Sequence, residues 1–214
     1  MVKKADPETP EVYTVSDLEQ IKVMADPLRL QLLEHFCKKE MTTKQVAGEL
    51  GEKPTRLYHH VDALERVGLI RLTRTQQNRG TVEKYYRAVA KMFEAEPGLF
   101  SPGEGADPSH KDAIEDLTTQ LLDRTADEFR DVLRFAQTSE MDEEDEPLVT
   151  VAEVHAPPEE VKEFQEKLMA FLQELSAEHQ NIEGPQEGWR RFRLSMMLFP
   201  LDLDERQKKD REKT

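Results

Sequence analysis

Residues 42–74 read TTKQVAGELGEKPTRLYHHVDALERVGLIRLTR, and the parsing of this stretch decides the fold. Thr42 and Gln45 stand three apart, the spacing at which a hydroxyl and an amide side chain cap each other's backbone N–H groups. A helix therefore starts here and runs to Gly51. GEKP is a short turn, and Pro54 suits the first turn of the next helix. That helix, TRLYHHVDALERV, ends at Gly68, a residue type that closes helices well. Leu57, Val61 and Leu64 fall together at the 3.6-residue period and form an inward face. Thr55, His59, Asp62 and Arg66 gather on the opposite face, with Arg56 and Tyr58 flanking them. LIRLTR and VEKYYRAV, on either side of the polar, glycine-containing TQQNRGT, read as the two strands of a hairpin.

Working outward, Ser16 and Glu19 form another capping pair, and a helix follows. Asp26-Pro27 interrupts it and starts a new one, LRLQLLEHF, whose Leu28, Leu32, Leu33 and Phe36 recur at helical spacing. The order is helix, helix, turn, helix, hairpin, all within residues 16–91, and it defines a winged helix-turn-helix. One helix braced across a tight turn by another can project into the DNA major groove, where each base pair shows a distinct pattern of donors and acceptors. Such a helix enters with its N-terminal half. Thr55, Arg56, Tyr58 and His59 are therefore the candidate base or phosphate contacts, with Arg66 further along. The hairpin tip adds Arg74, Gln76, Asn78, Arg79 and Lys84; an arginine there can reach the minor groove, and the amides can bond phosphates. Asp62 would be repelled by phosphate. His60, one residue round the helix from His59, reads as a half-buried packing residue.

A net charge of −14 seems at odds with nucleic acid, but its distribution is uneven. Residues 42–91 carry ten basic and five acidic side chains, whereas residues 92–214 carry fourteen basic and thirty-one acidic ones. Charges beyond a Debye length of about 8–10 Å are largely screened, so DNA would meet the basic segment locally. The acidic half would stay off it.

VMADPLRLQLLEHF, the reader pattern in HHVDALERVGLI, and RGTVEKYYRAV resemble the ArsR-type winged helix-turn-helix regulators over residues 16–91. The resemblance implies a homodimer on a (pseudo)palindromic operator, with Thr55 to His59 in the groove and Arg79 in the wing. Metal-sensing members carry paired cysteines in the bracing helix. Here that stretch is TTKQVAGEL, with neither thiol nor imidazole, so a thiolate sensor is not expected.

The remaining chain divides by composition. Residues 1–15 read as a tail, and residues 92–108, with their Pro-Gly content, as a linker. Residues 109–202 form a second domain and 203–214 a disordered tail. Within the second domain a long helix shows one apolar stripe, from which Ile114, Leu117, Leu121, Phe129 and Val132 are the candidate dimerisation residues. PLVTVAEVHA and WRRFRLSMMLFPL read as strands flanking the helix PPEEVKEFQEKLMAFLQELSAEH. The fold class is thus α+β, with a small strand-helix-strand unit cored by residues such as Phe164, Phe171 and Phe192. Trp189, Met196 and Met197 read first as part of a filled core, with a pocket for an unidentified small-molecule or protein effector as the alternative. Cys37 is the single cysteine, so no intrachain disulfide forms. With no apolar run of roughly 20 residues and no signal-like N-terminus, a cytoplasmic protein is expected. No catalytic set, cofactor-binding loop or metal-spaced cluster stands out, so neither enzyme activity nor cofactor is expected. The reading is a homodimeric repressor of transcription acting by operator occlusion on double-stranded DNA. Its alternative is a winged-helix protein-interaction module with an acidic partner-binding C-terminal half.

Overall fold

Residues 9–78, 80–100, 108–179, 190 and 192–201 are described by a computed structural model, in which the chain divides into the units Met1–Glu183 and Gly184–Thr214. In chain order the first unit contains β1 (Val12–Val15), α1 (Leu18–Met24), α2 (Pro27–Lys38), β2 (Met41–Thr42), α3 (Thr43–Leu50) and α4 (Pro54–Arg66). There follow β3 (Ile70–Asn78), β4 (Thr81–Ala88), β5 (Met92–Ala95), α5 (Pro108–Thr138) and α6 (Pro158–His179).

The winged helix-turn-helix is built as its local chemistry dictates. The Asp26 carboxylate accepts from the backbone N–H groups of Leu28 and Arg29, opening α2 behind Pro27. Thr42 and Gln45 satisfy both halves of a capping box at the start of α3. Gly51 ends that helix in the left-handed region at φ 68°, a conformation that favours glycine. Leu57, Val61 and Leu64 of α4 are completely buried with Leu32, Phe36, Val46, Leu69 and Ile70. Antiparallel β3 and β4 form the wing, and β2 adds to the other side of β4. The wing strands are longer than expected. The polar TQQN continues β3 to Asn78, and the return begins at Thr81 after Gly80 at φ 85°. Two-residue hairpin turns match the twist of their strands, so pairing persists to the tip.

Several expectations are corrected here. The N-cap of α1 is Asp17, not Ser16, its side chain accepting from the Glu19 N–H. Gln20, Ile21, Val23 and Met24 of this helix are buried. Residues 9–15 are not a tail and 92–95 not a linker. β1 and β5 pair in parallel, Val12 with Met92 through Val15 with Ala95. Tyr13 packs on Phe93 at a ring separation of 5.8 Å, and Lys91 is bonded to Glu11 at 2.6 Å. Residues 1–8 and 101–107 of those segments lie outside the described residues, as do Trp189 and the tail from residue 203.

The long helix is present, but its first half is used within this chain. Leu117 and Ala113 are buried in the same core as α1, and Ile114 packs against it. His110 bonds the Leu99 carbonyl at 2.7 Å, and Arg124 reaches Glu34 of α2 at 2.6 Å. Beyond Arg124 no described residue of α5 is buried, and Phe135 is 54% exposed. The strand-helix-strand unit does not form among the described residues. α6 is a helix, but residues 147–157 and 192–200 have no strand partner. Val151 and Phe192 are exposed, as is Phe171 of α6, and Phe164 and Leu168 are at most half-buried. Alternation shows that a segment could bury one face, but a strand also needs a neighbour to satisfy its backbone. Met196 and Met197 are exposed as well.

Because the Thr42 hydroxyl accepts the Gln45 N–H at the start of α3, Thr42→Ala should lower unfolding free energy by about 1 kcal/mol. A urea denaturation curve displaced to a lower midpoint with unchanged slope is the expected result. An unmoved midpoint would show that the capping box is not holding the brace helix.

Candidate nucleic-acid interface

The burial of one side of α4 fixes what its other side presents. Thr55, Arg56, Tyr58, His59 and Arg66 are all exposed, and Tyr58 keeps 46% of its surface accessible. Arg56 donates to Glu52 of the preceding turn at 2.7 Å. This is an exposed pair one helical turn apart, of a kind that contributes a few tenths of a kcal/mol, so a phosphate could displace it. His59 lies face-near to His60, ring centroids 3.8 Å apart.

His60 faces inward, only 12% of its side chain accessible, with Nδ1 3.6 Å from the Asp26 carboxylate. That oxygen is already committed to two backbone donors at the α2 cap, and Nδ1 has no hydrogen-bond partner. Burial lowers the His60 pKa, Asp26 opposes that, and His59, Arg29 and Arg56 add to the lowering. Its imidazole is thus neutral at pH 7 and packs the helix, as expected from the sequence.

The wing places Gln76, Asn78 and Lys84 on an exposed ribbon beside the helix. Arg79 lies outside the described residues. Arg74 is exposed in part but engaged. A bulge between Leu72 and Arg74 lets both Thr73 and Arg74 reach Glu40, at 2.8 and 2.7 Å. The Arg74 guanidinium also lies 3.4 Å from the centroid of the Tyr85 ring, its cross-strand partner, and bonds Gln76. Burial pushes the Glu40 carboxyl up, but the hydrogen bonds from Arg74 and Thr73 outweigh it and hold the group below its ordinary range. Arg74 therefore fastens the base of the wing to the loop before α3. Asn78 similarly bonds Glu83 across the hairpin at 3.2 Å.

Sequence reasoning missed Glu40, Tyr85 and Gln20. Gln20 of α1 donates from one amide nitrogen to the Val67 carbonyl at 2.9 Å and to the Tyr13 hydroxyl at 3.0 Å. It grips the C-terminal end of α4 from below. The Arg74–Tyr85 pairing could have been found from hairpin register. Nothing local signals Glu40 or Gln20, whose partners lie 34 and 47 residues away. Cys37 is an inert thiol, pushed up to about 12 by burial and then by Glu34.

Residues 24–73 match the family model described as a helix-turn-helix domain, which spans α2 to the first residues of β3. No curated protein matches the chain. Among solved structures, the transcriptional regulator HlyU from Vibrio vulnificus CMCP6 is 28% identical over 33% of this chain and 69% of that one, with a TM-score of 0.27. The fold is a winged helix-turn-helix, of the class found in DNA-binding regulators. No helix among the described residues is long and apolar enough to cross a membrane.

The His60 geometry has a consequence for acid stability. Its folded pKa lies below the ordinary 6.5, so as pH falls the unfolded chain takes the proton first. The stability is fully present above 6.5 and is lost as pH drops through that value toward the folded pKa. His35, lowered chiefly by burial and then by Lys38, adds the same trend. Melting temperature should fall between about pH 7 and 5.5, and His60→Gln should flatten that fall in part. A variant with the same pH slope as the unsubstituted chain would place His60 in contact with water.

Proposed function

We infer that this protein is a homodimeric, sequence-specific DNA-binding regulator of transcription, a repressor that acts by covering its operator. The observation that carries the reading is the two-sided α4. Leu57, Val61 and Leu64 are sealed into the core, so Thr55, Arg56, Tyr58 and His59 project at its N-terminal half. An exposed helix of this kind, flanked by a hairpin rich in amides and cations, fits a major groove with phosphates on its rim. Thr55, Arg56, Tyr58, His59, Gln76 and Asn78 are the reading and docking set, and Arg66, Arg79 and Lys84 add positive charge. Arg74 serves by holding the wing. Dimerisation through the outer part of α5, from Leu121 past Phe129 and Val132, would set two such helices about 34 Å apart on one face of the duplex. The exposed apolar residues Leu133 and Phe135 support that use of the helix. An effector would adjust the fit, and a cytoplasmic setting suits the lone, buried thiol. The ArsR resemblance implies the same homodimer on a (pseudo)palindromic operator, with Thr55 to His59 in the groove and Arg79 in the wing.

The protein-interaction alternative is separated by salt. Affinity for a duplex selected from random sequence should fall linearly on a logarithmic salt axis, in proportion to the phosphates neutralised. Arg56→Ala should weaken it about tenfold, on the scale of one lost charge-assisted contact. If no selected duplex binds with a salt slope, or Arg56→Ala leaves it unchanged, the protein-docking reading takes over.

Dimerisation has an independent check. Val132→Glu places a charge on the outer stripe of α5, beyond the segment buried in this chain. Sedimentation should show a monomer, and operator affinity should drop by at least about tenfold as one half-site's contribution is lost. A Val132→Glu chain that remains dimeric would move the interface elsewhere.

A further inference from the structure

The turn between α3 and α4 pairs an acid with an arginine of the reader helix. Gly51 closes α3 in the left-handed region, and the Glu52 N–H then bonds the Ala47 carbonyl at 2.9 Å, which fixes where Glu52 stands. On the helix side, the Arg56 N–H bonds the Lys53 carbonyl at 3.0 Å, and the next residue, Leu57, is completely buried. Both backbones are therefore held. Between them, Arg56 Nη1 donates to Glu52 Oε1 at 2.7 Å. The two side chains are unequally covered, that of Arg56 being 62% accessible and that of Glu52 29%. The guanidinium is the group presented, with the carboxylate as its support.

Among the described residues, the guanidinium has this one hydrogen-bond partner, engaged through Nη1. Nε and Nη2 remain, two parallel donors on one planar group. That fork matches the O6 and N7 acceptors that guanine shows in the major groove. A phosphate also accepts such a fork, but it carries a charge and a base edge does not. The carboxylate beside Arg56 offsets the attraction for an anion and repels it, whereas a neutral base edge is spared that repulsion. The pair adds little stability, yet a side chain directed before DNA arrives costs less to order on binding.

We propose that Arg56 reads a guanine in the major groove and that Glu52 is the positioning residue that directs it there, so that the preferred duplex carries a G·C pair under the start of α4. This rests on the DNA-binding reading above and names what part of that surface recognises. Arg56 then supplies sequence preference, and the attraction for phosphate comes from other cations.

The test uses the full chain and a duplex selected from random sequence. Each guanine is replaced in turn by 7-deazaguanine, which still pairs with cytosine but lacks the N7 acceptor. One guanine per half-site should be sensitive, its replacement weakening binding by about tenfold, the scale of a lost bidentate base contact. In Arg56→Ala the same replacement should cost nothing further, and the salt slope should stay as it was. Glu52→Gln keeps the shape and releases the guanidinium. It should cut the preference for guanine over 7-deazaguanine at least threefold and steepen the salt slope by about one phosphate. Should one variant fail to fold, the other completes the comparison. A duplex with no sensitive guanine, or one whose sensitivity survives Arg56→Ala, overturns the inference. An Arg56→Ala chain that weakens on every duplex alike, with a slope shallower by about one phosphate, makes Arg56 a phosphate contact and overturns it too. A Glu52→Gln chain with unchanged preference, or one that weakens on all duplexes equally, removes the positioning role. In each of these cases a duplex is still bound, so the DNA-binding reading stands; if selection recovers no duplex at all, that reading falls and takes this inference with it.

Discussion

The burial of Leu57, Val61 and Leu64 is the constraint on which the rest depends. Three side chains with essentially no water contact anchor α4 to the core made by α2, α3 and β3. Full burial of such side chains is worth on the order of 1.5–3 kcal/mol each, so rolling the helix about its axis would forfeit a large part of a small domain's stability. The opposite face has no freedom to hide. Whatever Thr55, Arg56, Tyr58 and His59 do is done at the surface, in a fixed register.

The surrounding bonds restrict that helix and the wing rather than add bulk stability. Gln20 holds the end of α4, and His60 packs beneath its middle. Arg74 is pinned between Glu40 and Tyr85 at the wing base. Each is a polar group whose geometry fixes orientation; of the three only the Arg74–Glu40 pair is exposed, and exposed pairs contribute little net energy. Rigidity matters for a surface that must match a groove, because ordering side chains or loops on binding costs affinity. The charge pattern works in the same direction. The positive segment coincides with the helix and wing, and the strongly acidic remainder disfavours any other docking pose.

Much of this was legible in the sequence because it is local. Asp26, Thr42, Gln45 and Gly51 mark helix ends through bonds within a few residues, and the α4 stripe needs only the 3.6-residue period. The split of α4 into a core face and an exposed face follows from that alone. What was not legible is non-local. β1 and β5 are four residues each, parallel, and separated by the whole winged domain, so the flanking Pro and polar residues made them look like tail and linker. Likewise Ile114 and Leu117 share one stripe with Phe129 and Val132, but packing on α1 takes only the first pair into the core and leaves Phe129 and Val132 half-buried outside it. The C-terminal strands were misread for a related reason: Phe192, Leu194, Met196 and Leu198 alternate, yet alternation carries no information about a pairing partner. The charge of Arg74 is visible in the sequence, and the Glu40 that engages it is not.

The central claim is that the outward face of α4 and the wing form one DNA-reading surface. Backbone amide shifts recorded on adding a selected duplex test it most directly. The account predicts that the changes concentrate at Thr55–His59 and Gln76–Lys84, with α6 silent. Changes confined to α5 and α6, with α4 unmoved, would contradict it.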